Sequence, residues 1–343
     1  MASPPGPSFL VAPDSFKGTF TAAEVAAAIA AGVEAGGGEV ERCPVADGGE
    51  GTMAVLLEAL GGEERVAHVH DPLRRPIAAS FGMLADGESA IVEVAQASGL
   101  PLLAPQERDP ERADTYGTGE LIAAAVAAGA SRVLVAAGGS ATTDGGRGAI
   151  AALRQSDAAF VLRTPSELQR TNATGREVSI ELLCDVRTPF EDAARVFGPQ
   201  KGADAAAVER LAARLEAFAT ELPRDPRGVP MGGCAGGLSG GLWAYGAELR
   251  PGAEFVLDAL DFDARLARAD AVISGEGRFD SQSLGGKIVG AIAAPCAATG
   301  KPLYLIVGEN RLADRPPGVA SVSEAEGVKE IQRVATGLAI RWR

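Results

Sequence analysis

Several short loops in this chain place glycine beside hydroxyl, carboxylate and cationic side chains, a mixture suited to holding an anion. The densest begins where the apolar run Val133 to Ala137 stops. It reads Gly138-Gly139-Ser140-Ala141-Thr142-Thr143-Asp144-Gly145-Gly146, and a second apolar run, Ala149 to Leu153, follows. That pattern predicts strand, tight loop, helix. Glycines let backbone amides approach an anion with no side chain in the way. The helix start adds the positive end of its dipole. Ser140, Thr142 and Thr143 can donate hydrogen bonds, and Asp144 can hold a metal or cap the helix. Alone, the segment supports a phosphate or acid-substrate cradle and an ordinary glycine-rich connection equally, because it matches neither the P-loop nor the G-x-G-x-x-G pattern.

Other loops repeat the design after other apolar runs. They carry Asp14 and Lys17; Asp47 and Glu50; Asp185 and Arg187; Lys201; and Glu276, Arg278 and Asp280. Burying charge is costly unless it is paired or used. Matched loops at the ends of several strands therefore argue for one site. The combination points to phosphoryl transfer. That reaction needs cations against the spreading phosphate charge, and carboxylates for Mg²⁺ and for orienting the attacking hydroxyl.

The elements that must position these loops follow from periodicity and punctuation. Phe9 to Ala12 reads as a strand, and Thr21 with Glu24 as a capping box opening a helix over 22–35 that stops at Gly36-Gly37-Gly38. A strand over 40–45 and a helix over 52–60 repeat the unit, which argues for a parallel sheet with ligands at the carboxyl ends of its strands. Over 66–95 the pattern changes to short strands parted by Asp-Pro and Asp-Gly turns, which predicts antiparallel pairing and a second domain. Helices are expected over 118–128 and 204–222. The strand–loop–helix pattern returns with a strand over 270–274, a helix near 287–298 and a strand over 303–307. The expected architecture is α/β with two domains. A discontinuous, doubly wound domain spans 1–67 and 268–343, and an inserted, mixed α/β domain spans 68–267.

Composition narrows the function classes. The chain has 343 residues and a net charge of −13, which argues against nucleic-acid and anionic-membrane partners. No segment is apolar for long enough to predict a membrane span. The Pro/Gly-rich start has no signal-peptide pattern. Cys43, Cys184, Cys234 and Cys296 lack C-x-x-C spacing and read as small buried residues of a reducing cytoplasm. His68 and His70 are the only histidines and read as structural, which disfavours Ser-His-Asp and Cys-His mechanisms.

Seven segments, in order, resemble the class-I glycerate kinase family (glycerate 2-kinase). They are Ala12 to Gly18, Pro44 to Gly51, Gly117 to Leu121, Gly138 to Thr142, Cys184 to Val186, Phe197 to Ala203 and Gly275 to Ser283. The resemblance implies an ATP- and Mg²⁺-dependent phosphotransferase with an alcohol acceptor, acting on D-glycerate to give 2-phosphoglycerate. It also implies two α/β domains, one flavodoxin-like and discontinuous, with the site in the cleft between them. It assigns Asp47, Asp185 and Arg278 to catalysis, with Asp47 and Asp185 both open as general base. It assigns Lys17, Gly138, Gly139, Ser140 and Lys201 to nucleotide phosphates. Asp14, Ser15, Glu50, Glu276, Asp280 and Ser281 fall to the substrate or to groups behind it, the last three being open either to hold the metal or to orient Arg278. The Mg²⁺ comes with the nucleotide, and its protein ligands are left open, with Asp144 and Asp185 as candidates. Partners are small molecules, with a homo-oligomer left open. The segment over 151–183 is shorter than is usual in the family, the stretch Thr188 to Ala194 lacks the usual glycine-containing loop, and the region after Val307 is abbreviated. These departures leave another hydroxy acid, a sugar or a cyclitol as an alternative acceptor. From other classes, a non-catalytic ligand sensor and a dinucleotide-dependent oxidoreductase are the alternatives. The retained charged residues disfavour the first, and the missing G-x-G-x-x-G the second.

Overall fold

A computed structural model describes residues 6–158, 162, 178–284 and 287–342. The shortened segment read over 151–183 lies largely outside these residues. The strands are β1 (Ser8–Val11), β2 (Glu39–Arg42), β3 (Gly62–His70), β4 (Pro76–Leu84), β5 (Ser89–Glu93), β6 (Arg132–Ala136), β7 (Ser179–Cys184), β8 (Glu248–Pro251), β9 (Ala271–Ser274), β10 (Arg278–Phe279), β11 (Leu303–Val307), β12 (Glu309–Asn310) and β13 (Val319–Glu324). The chain forms two compact units, one from residues 1–47 and 253–343, the other from 48–252.

The first unit is built on a five-stranded sheet ordered β2-β1-β9-β11-β13. All of its pairings are parallel. Counted within the unit, that order is 2-1-3-4-5, the flavodoxin-like arrangement, in which ligands gather at the carboxyl ends of strands beside the switch in strand order. Here the switch falls between β1 and β9. The helix Ala22–Ala35 starts as its capping box predicts: the Glu24 amide donates to Thr21 Oγ1, and the Thr21 amide to Glu24 Oε2. This helix packs against Val328–Arg341 through Gly32. A Cβ there would meet the Gln332 carbonyl oxygen at 2.3 Å, so only glycine permits the approach. Phe9, Val11, Ile29, Ile273 and Ile331 are fully or almost fully buried in the core beneath.

The second unit holds a six-stranded sheet in sequence order, β3 to β8. β3-β4-β5 pair antiparallel, as the turns at Asp71-Pro72 and Asp86-Gly87 predict, and β5 to β8 run parallel. β3 pairs with β4 along its full nine residues, and the helix Thr52–Leu60 packs on β4 and β5. Those contacts draw 48–67 into this unit, so the division lies at 47/48 rather than the expected 67/68. On the other side it lies at 252/253 rather than 267/268. The helices Tyr116–Ala127 and Arg147–Gln155 pack together where a Cβ on Gly119 would lie 2.4 Å from the Ala149 carbonyl oxygen. Glu181 is buried on β7 and bridges Arg132 of β6 and Arg250 of β8, at 2.6 and 2.7 Å. Among the described residues no helix is long and apolar enough to cross a membrane.

Candidate active-site residues

In the first unit, the loops after β1, β2 and β9 collect charge at one edge of the sheet. The loop after β1 is pinned to β9 by the Asp14 amide donating to the Gly275 carbonyl at 2.8 Å. The chain leaving β2 stays on β1, with the Val45 amide on the Pro13 carbonyl at 3.0 Å. Asp47 is thereby delivered to Lys17, whose Nζ lies 3.5 Å from Asp47 Oδ2. The third loop must come very close: a Cβ on Gly275 would sit 1.9 Å from the Ile306 carbonyl oxygen, and one on Gly277 3.2 Å from Phe16 Cα. Glycine at both positions is what lets Glu276 reach the cluster.

Asp14, Asp47 and Glu276 are all buried there. Burial, with the neighbouring Asp47 charge, pushes the Asp14 carboxyl up to about 8, partly offset by Lys17 and the Ser15 amide. The Ser15 amide donates to Asp14 Oδ1 at 2.6 Å. Burial raises Glu276 to about 7, opposed by Ser283 and Lys287 and reinforced by Asp47 and Asp280. Glu276 Oε1 is buried with no hydrogen-bond partner among the described residues. Two expected members are not drawn in. Arg278 is exposed on β10, and its Nε donates to Glu309 Oε2 at 3.1 Å across to β12. Ser281 is exposed at the start of a short 3₁₀ turn. Asp280 is half-buried, and its amide donates to Ser283 Oγ at 3.1 Å.

In the second unit, Gly138, Gly139, Ser140, Asp185 and Lys201 line one cavity of about 90 Å³, together with Phe197, Gln200 and Cys234. The loop leaves β6 and at once makes an antiparallel bridge. The Leu100 amide donates to the Gly139 carbonyl at 2.9 Å and the Ala141 amide to the Ser98 carbonyl at 2.8 Å. Gly139 adopts φ +74°, a conformation that favours glycine. The amides of Gly138, Gly139 and Ser140 have no hydrogen-bond partner among the described residues. Three consecutive amides around a left-handed residue are an arrangement that can receive an anion.

Two expectations change here. Asp144 is not available to a metal. Its Oδ2 accepts from the Thr115 amide (3.0 Å), the Thr115 hydroxyl (2.8 Å) and the Gly148 amide (2.9 Å), and its Oδ1 from the Gly146 amide (3.0 Å). Three donors fill Oδ2 and one occupies Oδ1, so Asp144 is committed to holding the start of helix Arg147–Gln155 against Thr115. Asp144→Ala is expected to cost about 3–5 kcal/mol, since it strands buried donors. A large fall in the denaturation midpoint in urea checks this, and a midpoint unchanged from the parent chain would refute it. Glu50 is exposed on the turn before helix Thr52–Leu60 and is not among the residues lining the cavity.

Two residues that sequence reasoning missed support these loops. Glu93 is buried at the end of β5 and accepts from the Gly51 and Met53 amides at 2.9 and 2.8 Å, capping the helix Thr52–Leu60 from 40 positions away. Thr115 does the equivalent for Asp144. Neither had a sequence signal, because each bonds a distant segment. Among the described residues no group of three or more His, Cys, Asp and Glu side chains is placed to hold a metal ion.

Comparison with known proteins places this geometry in a lineage. A model of the glycerate kinase family matches residues 9–335. A protein of Bacillus subtilis strain 168 named glycerate kinase is 40% identical over 324 residues, covering 87% of this chain and 84% of its own. Glycerate 2-kinase of Escherichia coli K12 is 38% identical, with coverage of 87% and 84%. A crystal structure of a Salmonella typhimurium LT2 protein, provisionally named glycerate kinase 2, superposes with a TM-score of 0.77 at 35% identity, covering 98% of both chains.

Proposed function

The chain belongs to the glycerate kinase family, and on that premise we propose that it transfers the γ-phosphoryl group of ATP to a hydroxyl of D-glycerate, giving 2-phosphoglycerate. The observation that carries this reading is the cavity of the second unit, lined both by Asp185 and by Gly138, Gly139 and Ser140, whose amides take no hydrogen-bond partner among the described residues. Amides fixed in advance stabilise developing phosphate charge without reorganising during the reaction. The substrate oxygen attacks the γ-phosphorus, the bond to the bridging β–γ oxygen breaks, and ADP leaves with that electron pair. The hydroxyl proton passes to a carboxylate.

We assign that carboxylate to Asp185. It is half-buried and lines the cavity, whereas Asp47 is buried and paired with Lys17. Lys17 is half-exposed and is assigned to neutralising phosphate. Arg278 would grip the substrate carboxylate by exchanging Glu309 for it. Asp14, at about 8, stays largely protonated near neutrality and can donate to an anionic ligand. Asp144 is committed to the Thr115, Gly146 and Gly148 donors, so Mg²⁺ is proposed as the companion of the nucleotide, and no step runs through a protein-bound ion. The four buried, free cysteines suit a reducing cytoplasm.

The test is ADP release coupled to NADH oxidation, screened over D- and L-glycerate, other hydroxy acids, sugars and cyclitols. The expected outcome is the highest kcat/KM on D-glycerate, with the phosphorus resonance of the 2-phospho ester. A better sugar or cyclitol would move the assignment to another acceptor. MgADP binding without turnover on any acceptor would instead identify a ligand sensor.

A further inference from the structure

Lys201 sits beneath the glycine-rich loop. Its side chain is 3% exposed, and its Nζ donates to Ser140 Oγ at 2.9 Å and to the Thr142 carbonyl oxygen at 2.6 Å. Two of three ammonium protons are thus held by the protein, both by the loop that carries the unpartnered amides. The hydroxyl of Ser140, accepting from a cation, keeps its own proton to donate and is polarised to donate more strongly. The lysine is delivered from a short 3₁₀ turn, Pro199–Lys201, closed by Gly202 at φ +103°. It therefore comes from a different segment than the loop it holds.

The geometry points to Lys201 as a positioning residue for the loop rather than a clamp on the nucleotide: through Ser140 Oγ and the Thr142 carbonyl it holds the Gly138–Ser140 amides in their anion-receiving shape. This rests on the kinase reading for the identity of the anion, but not for its mechanics. Because Lys201 also lines the cavity, a direct bond from its third proton to phosphate is the competing arrangement. The two differ in how Lys201 and Ser140 combine. A lysine acting through Ser140 makes the two residues one device, whose losses overlap. A lysine bonded directly to phosphate makes two devices, whose losses add. The titratable groups facing Lys201 are Asp144, Asp185 and Cys234, whose charged forms favour its protonated form. Burial outweighs them and lowers the ammonium to about 8.

The experiment measures MgADP affinity by calorimetry for the parent chain, Lys201→Met, Ser140→Ala and the double variant, with thermal unfolding of each as a folding control. Lys201→Met is expected to weaken binding about thirtyfold, the scale of losing charge-assisted hydrogen bonds. The double variant should be no weaker than Lys201→Met alone, and kcat on D-glycerate should fall with affinity. In the parent chain, affinity should decline as pH rises through about 8. That decline should be shallower in Lys201→Met. Additive losses, or parent-like affinity in Lys201→Met, would overturn the assignment. If Lys201→Met does not fold, Lys201→Arg takes its place in the cycle with Ser140→Ala, and additive losses overturn the assignment. Binding that follows the expected pattern without turnover on glycerate would refute the acceptor assignment while leaving the role of Lys201 intact.

Discussion

Asp185→Asn is expected to lower kcat by roughly 10²–10⁴, the usual contribution of a positioned general base. MgADP affinity should change by only a few-fold, and the unfolding midpoint should stay near that of the parent chain. The reasoning is geometric. Asp185 follows β7 directly, and that strand is held between β6 and β8 by the buried Glu181 bridge. The amide keeps the shape and volume of the side chain while removing its basicity. Asp47→Asn is the necessary comparison. It weakens the ion pair with Lys17, so any loss there mixes positioning with chemistry. If Asp185→Asn turns over normally while Asp47→Asn is dead, the base is Asp47. If both variants turn over at near-normal rates, neither carboxylate is the base.

Asp14→Asn is expected to stabilise the first unit above neutral pH while impairing turnover. A carboxyl raised from 3.8 to about 8 binds a proton in the folded chain that the unfolded chain has already released. Stability linked to that proton is fully present below pH 3.8 and is lost as pH rises through about 8. The parent chain should therefore weaken between mildly acidic and mildly alkaline conditions, by an amount on the order of 3 kcal/mol once sharing among Asp14, Asp47 and Glu276 is allowed for. The asparagine mimics the protonated acid and removes this slope. The two proteins should thus melt together near pH 4.5 and diverge at pH 8.5, with the variant higher by several degrees. Glu276→Gln should act in the same sense but less, because Ser283 and Lys287 already favour its charge. A parent chain whose stability is flat or rising over this range would show that the cluster is solvated or neutralised by a partner. Stability sacrificed at a site that gathers buried carboxyl groups is an ordinary trade with function.

Much of this protein is written in short-range patterns. The Thr21–Glu24 box lies within four residues and opens its helix as read. The turns after His70 and Leu84 set antiparallel strands, and glycine-terminated apolar runs mark β1, β6 and β9 with their loops. These signals are local because the hydrogen bonds and burial they encode involve neighbours in sequence. The convergence of Asp14, Lys17, Asp47 and Glu276 was also foreseeable, since parallel strands bring their carboxyl ends to one edge. The partner that each charge finally takes was not. Asp144 looked like a metal ligand and is committed to the start of a helix, and Lys201 donates to Ser140 and to the Thr142 carbonyl. Arg278 pairs with Glu309 across a two-stranded ribbon, and Glu93 caps a helix 40 residues upstream. A carboxylate or ammonium in sequence has only a type and a neighbourhood. Which donors saturate it, and whether any capacity remains for a ligand, depends on segments that meet only when the sheet is assembled.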